Sequence, residues 1–316
     1  MSFQEIKRVE KAQTYLDIAV KRALKHISPK KRGTSFEKAR PREYDRVGII
    51  GENLASRLGE IVKEYPILGE FPEFYHELLK VTVDYDKLKK SLSNVKWAAG
   101  KIRELSREHK QKIARTNEFA QLDLIKKAYL GRVSSVMKQI SLNLEYLEFS
   151  RKVMKNFPVL KTGVFTVCIA GFPNVGKTTL LSKLTTSTPD INEYAFTTKQ
   201  LNLGYTDIKE HKIQFIDTPG TLARPDKMNN IEKQAYLAIK YQAELIIYIF
   251  DLTEPYPLVD QKKLLEKFKN FDKPILIYIS KTDLLGQSEF TTFANEYKTL
   301  TSIEELRKEI DKSIKD

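Results

Sequence analysis

Gly171-Phe172-Pro173-Asn174-Val175-Gly176-Lys177-Thr178 follows directly on the apolar run Val164-Phe165-Thr166-Val167-Cys168-Ile169-Ala170 and opens onto Thr179-Leu180-Leu181. The run has the length and branched side chains of a buried strand, and a predicted helix covers 177–186. The octapeptide therefore fits G-x-x-x-x-G-K-[ST] in the strand–turn–helix context that the pattern needs. A glycine-permitted turn there aims successive backbone N–H groups at a phosphate chain, at the positive end of the following helix. Lys177 adds a point charge for the β- and γ-phosphates, and the Thr178 hydroxyl is suited to Mg²⁺. A fortuitous glycine-rich turn is the alternative, and it leaves the flanking strand and helix unexplained.

Downstream, Asp217-Thr218-Pro219-Gly220 closes a predicted strand over 211–217. An aspartate at the carboxyl end of a strand beside a phosphate loop can hold Mg²⁺ through water. Pro219-Gly220 lets the next segment rearrange when the Gly220 amide meets a γ-phosphate. Between the two elements lies Tyr194-Ala195-Phe196-Thr197-Thr198, in a polar connection. A threonine hydroxyl there, assigned to Thr198, completes a Mg²⁺ shell only while a γ-phosphate is present, so the segment would report the nucleotide state. The metal set expected is thus Thr178, Thr198 and Asp217, and the groups acting on the γ-phosphate are Lys177, Thr198 and Gly220.

The base is read from Ile279-Ser280-Lys281-Thr282-Asp283, which closes a predicted strand over 274–280. The Asp283 carboxylate can accept from guanine N1–H and the N2 amine together, and adenine offers no such pair. A buried acceptor left unpaired costs about 1–3 kcal/mol, enough to favour guanine by one to two orders of magnitude. Lys281 would lay its aliphatic stem over the base plane. The expected nucleotide contacts are Gly171, Phe172, Pro173, Asn174, Val175, Gly176, Lys177, Thr178, Thr179, Asp217, Gly220, Ser280, Lys281 and Asp283. A last base-contact loop is placed at Phe293-Ala294, giving Ala294 as a further contact, with Thr301-Ser302 as the alternative.

Around these motifs, short apolar runs alternate with helical stretches, the pattern of a mostly parallel sheet with helices on both faces. Strands are expected at 164–170, 200–208, 211–217, 244–251, 274–280 and 288–294. Helices are expected at 177–186, 229–242, 258–270 and 302–314, the last opened by the capping-box spacing Ser302 to Glu305.

The first half has a different texture. Leu88, Leu92, Val95, Ala98, Ala99, Ile102, Leu105 and Ile113 recur at helical spacing, and a second long pattern runs from Phe119 to Leu147. Two further amphipathic stretches lie near 4–27 and 42–64, and Tyr65–Pro72 reads as a connection leading into a short helix. The expectation is an all-α bundle over 1–160 followed by a nucleotide-binding α/β domain over 161–316. Tyr15, Tyr75, Tyr85, Tyr129, Tyr146 and Trp97 are read as bundle core.

Charge separates the halves as well. Residues 1–160 carry 33 Lys+Arg against 20 Asp+Glu, so the whole net charge of +13 resides there. Residues 161–316 carry the remaining 21 of each sign and balance to zero. Such asymmetry suits contact with a polyanion, against the blander alternative of a solvated basic surface. No run approaches the roughly 18 apolar residues of a membrane span, and the N-terminus lacks an apolar signal core, so a cytoplasmic protein without a membrane partner is expected. The single cysteine, Cys168, lies in an apolar run and excludes both a disulfide framework and a cysteine metal cluster.

Taken in order, Gly171–Thr178, Thr197-Thr198, Asp217–Gly220 and Ser280–Asp283 resemble the translation-factor-related GTPases. Gly-Phe-Pro-Asn-Val-Gly-Lys with Tyr-Ala-Phe-Thr-Thr-Lys looks like the Obg superfamily, and most closely its nucleolar GTP-binding protein 1 branch. Ala128–Arg132, Ser141–Glu148 and Phe71–Tyr75 look like segments of that branch's helical domain. The resemblance implies GTP and GDP as ligands with Mg²⁺, and a switch acting in assembly of the large ribosomal subunit, its helical domain touching ribosomal RNA or proteins. A monomer is expected. Eukaryotic members carry a long extension beyond the G domain, so this chain looks like the compact archaeal form.

Three departures qualify the transfer. Ser280 stands where the base motif usually begins with asparagine. Thr221 stands where Ras-like enzymes place a water-orienting glutamine, so slow hydrolysis is expected. The last base-contact loop has no clear Ser-Ala. By similarity to cation-dependent relatives, Asn174 would help hold K⁺ in place of an arginine finger. The competing readings are a GTPase of another translation-related branch and a nucleotide-gated RNA-binding module with negligible turnover.

Overall fold

The computed structural model describes residues 3–26, 33–161, 163–185, 201–218, 230–253 and 257–315. Six α-helices precede the first strand: α1 Ala12–Lys25, α2 Ser35–Glu64, α3 Glu73–Thr82, α4 Tyr85–Arg115, α5 Phe119–Gln139 and α6 Ser141–Lys155. The chain divides into two compact units, one of Met1–Glu70 with Val83–Phe157, the other of Phe71–Thr82 with Pro158–Asp316. Relative to a division at residue 160, the second unit takes α3 out of the helical half.

In the helical unit, α2 and α4 pack against each other most extensively, with α1 on α2 and α5 and α6 on α4. Their approach depends on Gly51 of α2, where a Cβ would lie 1.8 Å from Ser106 Oγ of α4. The Tyr129 hydroxyl of α5 sits 2.8 Å from Ser106 Oγ and 3.1 Å from Val47 O. Burial pushes that hydroxyl up to about 12, so it stays protonated.

Four sequence expectations change in this unit. The stretch near 4–27 resolves into a 3-10 turn at Phe3–Glu5 and α1. Helix α2 starts at Ser35 rather than 42, because Thr34 and Glu37 form a capping box and Pro41 is carried inside the helix without ending it. The long pattern 119–147 is two helices, interrupted at Ile140 with φ −95° and ψ 3°. Trp97 is 49% exposed rather than core, since the buried positions Val95, Ala98, Ala99 and Ile102 occupy the other side of α4. Tyr15 and Tyr129 are buried in the bundle as expected, Tyr85 and Tyr146 are half-buried, and Tyr75 is buried in the second unit rather than in the bundle, because α3 belongs there.

The second unit continues with β1 Phe165–Gly171, α7 Lys177–Leu184, β2 Asn202–Ile208, β3 His211–Asp217, α8 Asn230–Gln242, β4 Leu245–Asp251, α9 Leu258–Lys269, β5 Ile275–Ser280, α10 Gln287–Glu296, β6 Thr299–Leu300 and α11 Ile303–Lys315. The strands form a six-stranded sheet in the order β2-β3-β1-β4-β5-β6. All pairings are parallel except β2 with β3. Cys168 is fully buried in the central strand β1, as its apolar run implied, and burial pushes its thiol well up, away from thiolate chemistry. Leu180, Leu181 and Leu184 of α7 and Leu306 and Ile310 of α11 share one apolar core with β1, β3 and β4.

The expected strand 288–294 is the helix α10. Two threonines in that stretch favour a strand on propensity, but Phe290, Phe293 and Tyr297 recur at three and four, and the rings of Phe293 and Tyr297 pack on Phe250. The last strand is the short β6, paired through Ile277 with Thr299.

Helix α3 packs on α8 in this unit. The Tyr75 hydroxyl donates to Pro158 O at 2.9 Å and accepts from Leu160 N at 3.0 Å, which ties α3 to the segment leading into β1. Lys161 N then donates to Gln214 Oε1 of β3 at 2.9 Å. Among the described residues, no helix is long and apolar enough to cross a membrane.

Candidate nucleotide site

Four strands end at one edge of the sheet, and their last residues are Gly171, Asp217, Asp251 and Ser280. The register brings Ile169 opposite Asp217, Gly171 opposite Ile249, and Asp251 opposite Ser280. The carboxyl edge of an open parallel sheet is where such folds bind ligands.

The turn after β1 is built from left-handed residues: Gly171 at φ 147°, Asn174 at φ 62° and Gly176 at φ 93°. At Gly171 a Cβ would also meet Ile249 O at 2.8 Å, so only glycine fits. Asparagine tolerates the left-handed region better than most side chains, which suits exposed Asn174. Val175 is fully buried and anchors the turn in the core, while Phe172 packs against the same core. Thr178 and Thr179 are exposed in the first turn of α7.

Lys177 is 8% exposed, and its Nζ donates to Phe172 O at 2.6 Å. Burial lowers its pKa, and Asp217 partly opposes that. Thr178 Oγ1 donates to Asp217 Oδ2 at 2.7 Å, and Asn202 Nδ2 donates to the same oxygen at 3.1 Å. The other oxygen, Asp217 Oδ1, is buried and has no hydrogen-bond partner among the described residues. A buried carboxylate oxygen left in this way is costly unless a further positive group or donor reaches it. A hydroxyl and an orphaned carboxylate oxygen are a donor set that fits Mg²⁺, so Thr178 and Asp217 could hold the ion. Thr218 is fixed beside them, its Oγ1 donating to Ile169 O at 2.8 Å.

At the far side, Lys281 is left-handed at φ 54° and its Nζ contacts Asp251 Oδ2 at 2.5 Å. Asp251 also accepts from Thr253 N at 3.0 Å and Thr253 Oγ1 at 2.6 Å. Burial works against its ionisation, but the hydrogen bonds from Lys281 and Thr253 prevail and its carboxyl lies below the usual range. Ser280 Oγ donates to Phe250 O at 3.1 Å, and a Cβ on Gly176 would lie 3.8 Å from Ser280 Cβ. The end of β5 therefore abuts the phosphate loop. Asp283 is exposed in the turn Thr282–Leu284.

The fold thus brings together Gly171 to Thr179, Asp217, Ser280, Lys281 and Asp283 at one edge. Pro219, Gly220, Thr221, Thr197 and Thr198 lie outside the described residues. Ala294 lies within α10 rather than in a loop after the last strand, and that loop holds Thr301 and Ser302. Sequence reading missed Asn202 and Asp251. Asp251 was signalled as Asp217 was, by an acid closing an apolar strand, whereas the role of Asn202 depends on the antiparallel register that sets it opposite Asp217.

A six-stranded, largely parallel sheet with a phosphate loop after its central strand, preceded in sequence by a helical domain, defines a P-loop GTPase fold with an all-α N-terminal domain. Residues 166–281 match the family described as 50S ribosome-binding GTPase, and residues 3–160 match the NOG1 N-terminal helical domain. The chain belongs to the nucleolar GTP-binding protein 1 family. An uncharacterized protein of Methanocaldococcus jannaschii is 39% identical over 254 residues, covering 79% of this chain and 71% of the relative. Nucleolar GTP-binding protein 1 of Drosophila melanogaster is 32% identical over 290 residues, covering 90% of this chain. This chain spans only 44% of that relative's length. A crystal structure of Aquifex aeolicus Era bound to GDP and AlF4⁻ shares 29% identity over 48% of this chain and 56% of its own, with a TM-score of 0.38.

Proposed function

We propose that the chain binds GTP with Mg²⁺, hydrolyses it slowly, and acts as a switch in assembly of the large ribosomal subunit through its basic helical half. The observation that carries the nucleotide reading is Asp217: one carboxylate oxygen held by Thr178 and Asn202, the other buried without a partner among the described residues. Thr178 and Asp217, together with Thr198, would hold Mg²⁺, which when bound would supply positive charge to the phosphates. Lys177 is released from Phe172 O to the phosphates, and the backbone N–H groups of the turn orient them. Gly220 contacts the γ-phosphate and passes its presence to the segment that follows.

Guanine is selected by Asp283, with Lys281 held by Asp251 so that its stem lies along the base. Ser280 donates to Phe250 O rather than toward a ligand, so it reinforces the strand end. Thr301 and Ser302 take the place of Ala294 as the last base-contact loop. Asp283→Asn is expected to lower the preference for GTP over ATP by about tenfold or more, read from competition for a fluorescent GTP analogue. If ATP and GTP compete equally with the unaltered chain, the base assignment falls.

Thr221 in place of glutamine supports a hydrolysis rate on the order of 10⁻³ s⁻¹ or lower, measured in single turnover. It equally supports the second reading, a nucleotide-gated RNA-binding module. Asn174, left-handed and exposed at the loop, supports K⁺ assistance. Hydrolysis is expected to be faster in KCl than in NaCl, and equal rates in the two salts would remove K⁺ from the scheme.

The ribosomal assignment is supported by the family descriptions and by the confinement of the net charge of +13 to residues 1–160. Co-sedimentation with large subunits is expected with GTP and not with GDP. Identical distributions with both nucleotides would overturn a switch role there.

A further inference from the structure

We infer that the groove between α2 and α4, with the basic stripe of α4 that runs into it, is an RNA-binding site: Arg103, Arg107 and Lys110 hold the phosphate backbone at the groove, and Trp97, outside the groove on the outer side of α4, stacks an unpaired base of the same strand. The inference rests on the proposed contact between the helical half and ribosomal RNA, and gives that contact a place.

The groove has a volume of ≈ 480 Å³. On the α2 side it is lined by Tyr44, Gly48, Gly51 and Glu52. On the α4 side it is lined by Arg103, Arg107 and Lys110 among others. The two glycines, three residues apart, let α4 side chains lie close against α2: a Cβ on Gly48 would be 3.3 Å from Lys110 Nζ, and one on Gly51 would be 1.8 Å from Ser106 Oγ. Lys110 Nζ is held 4.4 Å from the centre of the Tyr44 ring and is thereby pre-positioned at the groove.

The basic residues form a line rather than a scatter. Lys89, Lys96, Arg103 and Lys110 are each seven apart, and seven residues bring a helix back to within about 20° of the same direction. The stripe spans about 32 Å of α4. Lys89, Lys96, Arg103 and Arg107 are exposed, and no carboxylate lies within ion-pair distance of any of them among the described residues. Nearby acids are engaged elsewhere: Glu104 by Lys101 at 2.9 Å, and Glu108 by Arg132 at 3.8 Å. Glu52 is the one acid in the lining.

Charge alone would serve any polyanion. Trp97 favours RNA, because it is 49% exposed beside Lys96 and one turn from Lys101, where an aromatic face can stack a base. An acidic peptide would make no use of it.

Trp97 is also the only tryptophan of the chain, so its fluorescence reports binding at α4 alone, and the charge reversals report the groove. The full chain is titrated with an oligouridylate of about 10 nucleotides, with deproteinised large-subunit ribosomal RNA, and with polyglutamate. Filter retention is measured in parallel. Both RNAs are expected to quench Trp97, and polyglutamate is not. The double variant R103E/R107E is expected to weaken RNA binding roughly tenfold or more and to reduce the salt slope by about 0.7 for each phosphate no longer neutralised. W97A is expected to weaken it about 5- to 150-fold on filters. E52Q, which removes the groove's carboxylate, is expected to tighten it. All four positions are exposed, and unchanged circular dichroism and melting confirm that each variant folds.

If ribosomal RNA is retained on filters but Trp97 is not quenched and R103E/R107E binds as well as the parent, the groove is not the site, although an RNA-binding helical half stands. If no RNA is retained even at low salt, both fail. Equal quenching by polyglutamate makes the groove a site for acidic proteins and overturns the RNA assignment.

Discussion

Lys177→Ala is expected to leave the chain folded and to lower GTP affinity by about two to four orders of magnitude. Removing one partner of a buried ion pair costs about 3–5 kcal/mol, and each 1.4 kcal/mol is a factor of ten. The ammonium sits 2.6 Å from Phe172 O in a buried position that lowers its pKa. Truncation therefore removes one hydrogen bond and relieves one desolvated charge, two effects that largely offset in the free protein. Melting measured with and without nucleotide separates the consequences. The unaltered chain should gain about 2.7 kcal/mol at a GTP concentration one hundred times Kd, and the variant should gain almost nothing. A variant that retained the nucleotide-dependent rise would show that the phosphates are recognised elsewhere.

The phosphate site was legible because its chemistry is local. Gly171, Asn174 and Gly176 provide the turn within six consecutive residues, and Lys177 and Thr178 follow on the same helix. Asp217 was legible from its position at the end of an apolar run. What escaped depends on which strands become neighbours. Asn202 reaches Asp217 only through the β2–β3 register, and Asp251 holds Lys281 only because β4 and β5 end side by side. Helix α10 was misread because its threonines carry strand propensity while Phe290, Phe293 and Tyr297 carry the helical period that packing obeys. The displacement of α3 into the second unit had no local signal either. It depends on Tyr75 meeting Pro158 and Leu160, more than eighty positions away.

The same reasoning separates two of the three glycines of α2, Gly51 and Gly59, which face different surroundings. At Gly51 an added Cβ would lie 1.8 Å from Ser106 Oγ, 2.7 Å from Ser106 Cβ and 3.2 Å from the Tyr129 hydroxyl. At Gly59 it would meet nothing within 4 Å. Gly59→Ala should thus stabilise by about 0.5–1 kcal/mol, since alanine restricts the unfolded chain and favours the helix. Gly51→Val should destabilise by about 3 kcal/mol or more, because α2 and α4 must part and the Tyr129 hydroxyl loses its fixed place. For a unit of this size that corresponds to a fall of roughly 6–12 °C in melting temperature, followed through Trp97 on α4 itself. Ser106→Ala is not expected to rescue Gly51→Ala, because the Ser106 Cβ would still be 2.7 Å away. Ser106→Gly removes that atom too, so G51A/S106G should be more stable than the sum of its single changes by about 0.5–3 kcal/mol. Equal melting of G51A and G59A would show that the approach of α2 and α4 does not depend on Gly51.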